Sequence, residues 1–186
     1  MKNAAIVILA VLVFAGITSC QKTKDEVNKA TAFDMNYTTG DITIPSSTLA
    51  AVVTGTTQTV EFNTPEISTA SASRFTSEST TQDLIEEIKM TKFTISNSSG
   101  NLNFLKSINI YIKTSGLGDL LIATKTVIPQ NVSTVNADLT DVNIKQFIFK
   151  DKIQFKVSVT LIAGTNASGD QKLKTSQTMH VKGKRI

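Results

Sequence analysis

One histidine, one cysteine and no tryptophan leave this chain of 186 residues short of the side chains that most often carry chemistry. With His180 alone, no two histidines can share a metal ion and no metalloprotease helix can be assembled. With Cys20 alone, no intramolecular disulfide can form, so the folded part must stand on its packed core. Without tryptophan, and with only Tyr37 and Tyr111 as tyrosines, the chain has little from which to build the exposed aromatic platforms on which sugars stack. No serine lies in a Gly-x-Ser-x-Gly elbow or in a Ser-x-x-Lys context with its supporting motifs, and no phosphate-cradling glycine pattern occurs. No catalytic residue, metal, cofactor or nucleic-acid partner is therefore expected. The apolar run Ala4 to Ile17 is 14 residues long, shorter than the ~20 that a spanning helix needs.

What is there begins with that run. Met1, Lys2 and Asn3 precede it and the small pair Thr18-Ser19 follows it, which suits a secretion signal whose core takes roughly 7–15 residues. Ile17-Thr18-Ser19-Cys20 resembles the lipobox of bacterial lipoproteins, an aliphatic residue and two small ones before a cysteine. The resemblance implies cleavage between Ser19 and Cys20, a diacylglycerol on the Cys20 sulfur and a further acyl chain on the freed amine. One acyl chain binds a membrane marginally, whereas two or three hold it stably. Gln21-Lys22-Thr23-Lys24-Asp25-Glu26 then reads as a solvated tether. Gln21 is not the aspartate that commonly retains lipoproteins in the inner membrane, so the resemblance points to the outer membrane, on its periplasmic or cell-surface face. Lys24-Asp25-Glu26 also resembles the export signal of surface lipoproteins of Bacteroidota. The expected organisation is a signal over 1–19, a lipidated cysteine and tether over 20–28, and one domain over 29–186.

Period-two alternation bounded by turn residues dominates that domain. Ile108, Ile110 and Ile112 alternate with Asn109, Tyr111 and Lys113 up to a turn-rich Ser115–Asp119. Ile153, Phe155, Val157, Val159 and Leu161 alternate with polar residues over ten positions, the clearest strand in the chain. After the loop Gly164 to Asp170, Gln171 to Lys182 is expected to return as its hairpin partner. Shorter strands are expected around Phe33-Met35-Tyr37, Ile42-Ile44, Val60-Phe62 and Met90–Ser96. The Ser/Thr/Ala stretch Ser68–Thr81 reads as a long surface loop, and Asp83 to Ile88 as a short helix lying within 81–88. The expected fold is an all-β, antiparallel sandwich, immunoglobulin-like or of the jelly-roll type. The run from Asp83 onward resembles small β-sandwich lipoproteins of Bacteroidota, which implies a fold and a location but no reaction.

Charge is unevenly placed. Residues 20–100 carry 6 Lys/Arg against 10 Asp/Glu, and residues 101–186 carry 12 against 5. If the last two strands form a hairpin, Lys152, Lys156, Lys172, Lys174 and Lys182 share an outward basic surface beside His180, suited to an anionic envelope component or an acidic envelope protein. Asp138, Asp141 and Asn143 have a spacing loosely suggestive of calcium, but they lack the glycine and glutamate of a complete loop and read as a turn. The expected function is a membrane-anchored, non-catalytic binding or assembly module that meets the bilayer through acylated Cys20. The alternative is an accessory glycan-binding lipoprotein.

Overall fold

The computed structural model describes residues 32–52, 56–162 and 169–184. Ser19, Cys20 and the tether lie outside them. Two antiparallel sheets pack face to face. Sheet I has the order β1 (Ala32–Thr38), β11 (Gln171–Gly183), β5 (Ile85–Asn97), β8 (Thr134–Asn136), and β2 (Ile42–Ile44) continues along β11 beyond β1. Sheet II has the order β3 (Thr57–Asn63), β10 (Lys152–Ile162), β6 (Leu105–Thr114), β7 (Leu117–Lys125), β9 (Asp138–Leu139), and β4 (Ile67–Ser68) continues along β10 beyond β3. Three short helices lie in the connections: α1 (Ser46–Ala50), α2 (Ser71–Ser77) and α3 (Lys145–Ile148). Of consecutive strands only β6 and β7 pair with each other; the other connections cross between sheets or pass along one edge, except that from β9 to β10, which stays in sheet II and passes β7 and β6. The chain is an all-β sandwich, and of the two expected types this strand order is that of the jelly roll.

The alternating rows meet in the middle. Ile108, Ile110 and Ile112 on β6 and Ile153, Phe155, Val157, Val159 and Leu161 on β10 are all buried. Phe93 on β5 meets Phe155 on β10 edge to face, with centroids 5.3 Å apart. Sheet I supplies Met35, Ile42, Ile44, Ile88, Ile95, Leu173, Met179 and Val181.

Four local expectations are corrected. The first is the hairpin: β10 and β11 lie in opposite sheets, each between two other partners. Alternation records only that one face of a strand is buried, which is equally true of a hairpin and of a crossing between sheets. The second is the helix near 81–88, reduced to a 3-10 turn at Gln82–Leu84, after which β5 starts at once. Opposite Lys182 and Gly183 the register slips so that Glu86 is an extra residue, and this bulge places Ile85 and Ile88 on one face at a spacing of three that imitates a helix. The third is the loop over 68–81, which contains α2; its single buried ring, Phe75, packs edge-on against both Phe33 and Phe149, and one anchor in a Ser/Ala-rich stretch produces no periodicity. The fourth is the turn over 115–119, which shrinks to Ser115-Gly116, where Gly116 takes a φ of 81° that its missing Cβ permits.

Both outer edges on the β1/β3 side are broken midway, and the two breaks share a device. Between β1 and β2, buried Thr39 donates its N–H to the Thr175 carbonyl at 3.0 Å, and its hydroxyl accepts the Thr175 N–H at 3.2 Å. Between β3 and β4, buried Thr64 donates to the Phe155 carbonyl at 2.8 Å, and its hydroxyl accepts the Phe155 N–H at 3.0 Å. In each case a threonine hydroxyl stands where the edge strand's next carbonyl would have stood, so the central strand loses no bond as the edge turns aside. The two breaks adjoin: a Cβ on Gly40 would lie 3.5 Å from Cγ of Pro65.

Thr64→Val keeps the shape but strands the Phe155 N–H, so it should cost about 1–3 kcal/mol in urea unfolding. Thr59→Val, on the exposed face of β3, should change stability by less than about 0.5 kcal/mol.

Candidate functional site

The division of β10 and β11 between sheets divides the expected basic surface. Lys152 and Lys156 face outward from sheet II; Lys172, Lys174 and Lys182, with His180, face outward from sheet I. The five lysines do not form one stripe. Most are also partnered: Lys152 with Glu66 at 2.9 Å, Lys156 with Asp119 at 2.9 Å and Glu61 at 3.7 Å, Lys174 with Asp41 at 3.6 Å, and Lys182 with Glu86 at 3.0 Å. The hydrogen bonds to Glu66 and Asp119 raise the Lys152 and Lys156 ammonium groups above the ordinary lysine range. His180 is exposed and its Nδ1 lies 2.8 Å from Oδ1 of Asp34 on β1.

The other sequence candidates have structural work. Asp138 pairs with Lys125 and Asp141 with Lys89, each at 3.1 Å, while Oδ1 of Asn143 accepts the N–H groups of Ile88 and Lys145. Glu86 and Glu87 sit on a strand and pair with Lys182 and Lys89. Tyr37 and Tyr111 do not share a surface. Tyr37 leans inward from β1 and donates to the Thr69 carbonyl at 2.7 Å; Tyr111 lies on the outer face of β6 with the Lys156 ammonium 4.6 Å from its ring centroid.

A place for contact emerges at one end of the sandwich instead. The β6–β7 turn, the segment entering β10 and the residue before β4 enclose an open cleft of about 500 Å³, lined by Glu66, Lys113, Thr114, Lys150, Asp151 and Gln154 among others. Its walls are fixed from behind: Thr114 Oγ1 donates to the Lys152 carbonyl at 2.8 Å, and the Gln154 amide donates to the Thr64 carbonyl at 2.7 Å. Thr69 ties the entry of β10 to β4, donating its N–H to the Asp151 carbonyl at 2.9 Å and its hydroxyl to the Lys150 carbonyl at 2.6 Å. Three lysines, Lys113, Lys150 and Lys152, face two carboxylates, Glu66 and Asp151, and Lys152 and Glu66 neutralise each other. Among the described residues no carboxylate lies within ion-pair distance of Lys113 or Lys150, and Lys113 reaches only the side-chain oxygen of Asn63, at 3.5 Å, so the cleft offers two ammonium groups without a carboxylate partner. The triplet Lys150-Asp151-Lys152 ahead of the clearest strand was the visible sign of it; the partners from β4 and β6 carried none. On the far side of Thr69 a smaller hollow of about 280 Å³ holds Asp34, Asn36, Tyr37 and Arg74.

No family model and no curated protein matches this chain. Among solved structures it is similar to the Drosophila NLP core, at 12% identity and a TM-score of 0.26 over 78% of this chain and 97% of that one. It is similar also to turnip yellow mosaic virus, at 10% and 0.28 over 83% and 95%, and to infectious bursal disease virus strain Gt, at 12% and 0.29 over 80% and 31%. Likenesses this distant carry no functional argument, and the fold stands on its own strand order.

Burial pushes the Tyr37 phenol up to about 12, an effect that Arg74 partly offsets. The folded phenol keeps its proton where the unfolded one, at 10.0, loses it, so its contribution to stability is present below pH 10.0 and is lost as the pH climbs toward about 12. Phenolate absorbance should show one late-titrating tyrosine, absent in Tyr37→Phe.

Proposed function

We propose that this protein is a lipid-anchored bacterial lipoprotein that presents a non-catalytic jelly roll as a binding or assembly module at the outer envelope. The observation that carries the anchor is Ile17-Thr18-Ser19-Cys20 placed directly after a 14-residue apolar run. The contact region is the end cleft, whose Lys113 and Lys150, without a carboxylate partner among the described residues, suit phosphate or carboxylate groups of an anionic envelope component. The position of the cleft supports this reading. Phe33 at the start of β1 is joined through Phe75 to Phe149, next to Lys150, so the domain's first strand begins at the cleft end. The 11 residues from Gln21 to Thr31 span at most about 40 Å when extended, which keeps that end near the anchored surface. The glycan-binding alternative has less support, because its two tyrosines stand on different sheets and neither presents a bare ring face.

Cys20→Ser should abolish incorporation of radioactive palmitate and move the protein out of the membrane fraction or leave it uncleaved. Equal labelling of mutant and wild type would defeat the lipoprotein reading. Lys113→Gln with Lys150→Gln should weaken salt-sensitive binding to anionic vesicles about tenfold with little change in stability, since both side chains are partly or fully exposed.

A further inference from the structure

We propose that β3 is a self-pairing edge through which two copies of this chain join sheet II to sheet II across a two-fold axis at Val60. Exposed strand edges invite another strand, and folded proteins blunt them by shortness, charge or cover. The other edges here are blunted. β8 has 3 residues, β9 has 2, β2 has 3 and β4 has 2, and the part of β7 that β9 leaves open, from Leu117 to Leu121, is interrupted by two register shifts against β6 and carries Asp119. β1 has 7, but the Arg74 guanidinium donates to the outward carbonyl of Asp34 at 3.3 Å, and Arg74 is itself held by Glu78 at 3.2 Å. β3 alone is both long, at 7 residues, and uncovered by any described residue; Glu61 is its only charge, and it has no proline or bulge.

Register decides the occupant. Thr64 bonds to Phe155, so by alternation Phe62, Val60 and Gln58 direct their backbone groups to β10, while Thr57, Thr59, Glu61 and Asn63 direct theirs to the open side. An antiparallel second copy centred on Val60 sets Thr59 against Glu61, Thr57 against Asn63 and Gln58 against Phe62. Every outward N–H and C=O from 57 to 63 then meets its complement. A centre at Glu61 would set like charges directly opposite, which is unfavourable, and a centre at Thr59 would leave Phe62 and Asn63 overhanging. The Val60 centre also covers apolar surface that the monomer leaves partly open, since Val60 and Phe62 are only partly buried at the rim of the core. The edge is thus complementary to itself in one register. Seven paired residues bury less than the ~1,200 Å² of a durable interface, so the dimer is reversible and is best trapped covalently.

Single cysteines in the full chain test this under oxidation, because facing residues at a non-hydrogen-bonded site come within disulfide reach and residues further along do not. Val60→Cys should give a disulfide-linked dimer about fivefold above Gln58→Cys, Phe62→Cys and the wild type with Cys20 alone. A mixture of Thr59→Cys and Glu61→Cys chains, whose substitutions leave the core untouched, should cross-link to each other in preference to themselves. Adding Glu61→Pro to Val60→Cys should remove the dimer without unfolding the domain, because the Glu61 N–H takes no part in the β10 ladder. A yield for Val60→Cys no higher than wild type, a flat yield across the scan, persistence with Glu61→Pro, or capture of a protein of different mass would each overturn the proposal.

Discussion

The dry contact between the inward faces of the two sheets, centred on Phe93 against Phe155, is what the rest of this domain depends on. Neither sheet is stable alone in water with one apolar face open, and with a single cysteine there is no cross-link to help. Removing Phe155 to alanine would forfeit roughly 3–5 kcal/mol, a large share of what a domain of this size has. The demand that both sheets keep facing each other dictates the chain path: it passes between sheets at most connections, and its long central strands are β5, β6, β10 and β11. The edges must then end without stranding the central strands' amides. Thr39 and Thr64 meet that need by the same substitution of a hydroxyl for a carbonyl.

β11 shows the contact tolerating polar groups where they can bond one another. Its inward row includes Gln171, Thr175 and Gln177, all buried. Gln171 accepts from the Asn97 amide at 2.8 Å, Thr175 shares a hydrogen bond with Thr39 at 2.9 Å, and Gln177 donates to Thr175. Among the described residues the Gln177 side-chain oxygen Oε1 has no partner, so the row is satisfied at its start and less so toward its middle.

Outside, charge is mostly spent locally. Exposed pairs such as Lys152–Glu66 and Lys182–Glu86 add little stability each, but they cancel the lysine excess that the C-terminal half carries in sequence. Five acidic partners, Glu66, Glu61, Asp41, Glu86 and Asp34, come from the N-terminal half, while Asp119 and Asp138 come from the C-terminal half, so the fold interleaves the two oppositely charged halves in part. Lys113 and Lys150, which have no carboxylate partner among the described residues, lie together at the end cleft.

The sequence by itself determined the all-β class and the inward rows of β6 and β10, because a strand with one buried face must alternate and Ile108–Ile112 and Ile153–Leu161 do so without interruption. The proposed anchor also rests on sequence alone, on the resemblance of Ile17-Thr18-Ser19-Cys20 to a lipobox, which is a local pattern independent of the fold. Where tertiary contacts set the pattern, it was silent or misleading. The bulge at Glu86 turned a strand's spacing into a helix's, and the single ring of Phe75 fixed α2 without any period. The hydroxyl contact that lets Thr175 be buried comes from Thr39, 136 residues away, and no local pattern shows it. The sheet assignment of β10 and β11, and with it the fate of the lysine surface and the place of the cleft, was decided only by the tertiary structure, because alternation states which side of a strand is buried and says nothing of which strand lies beside it.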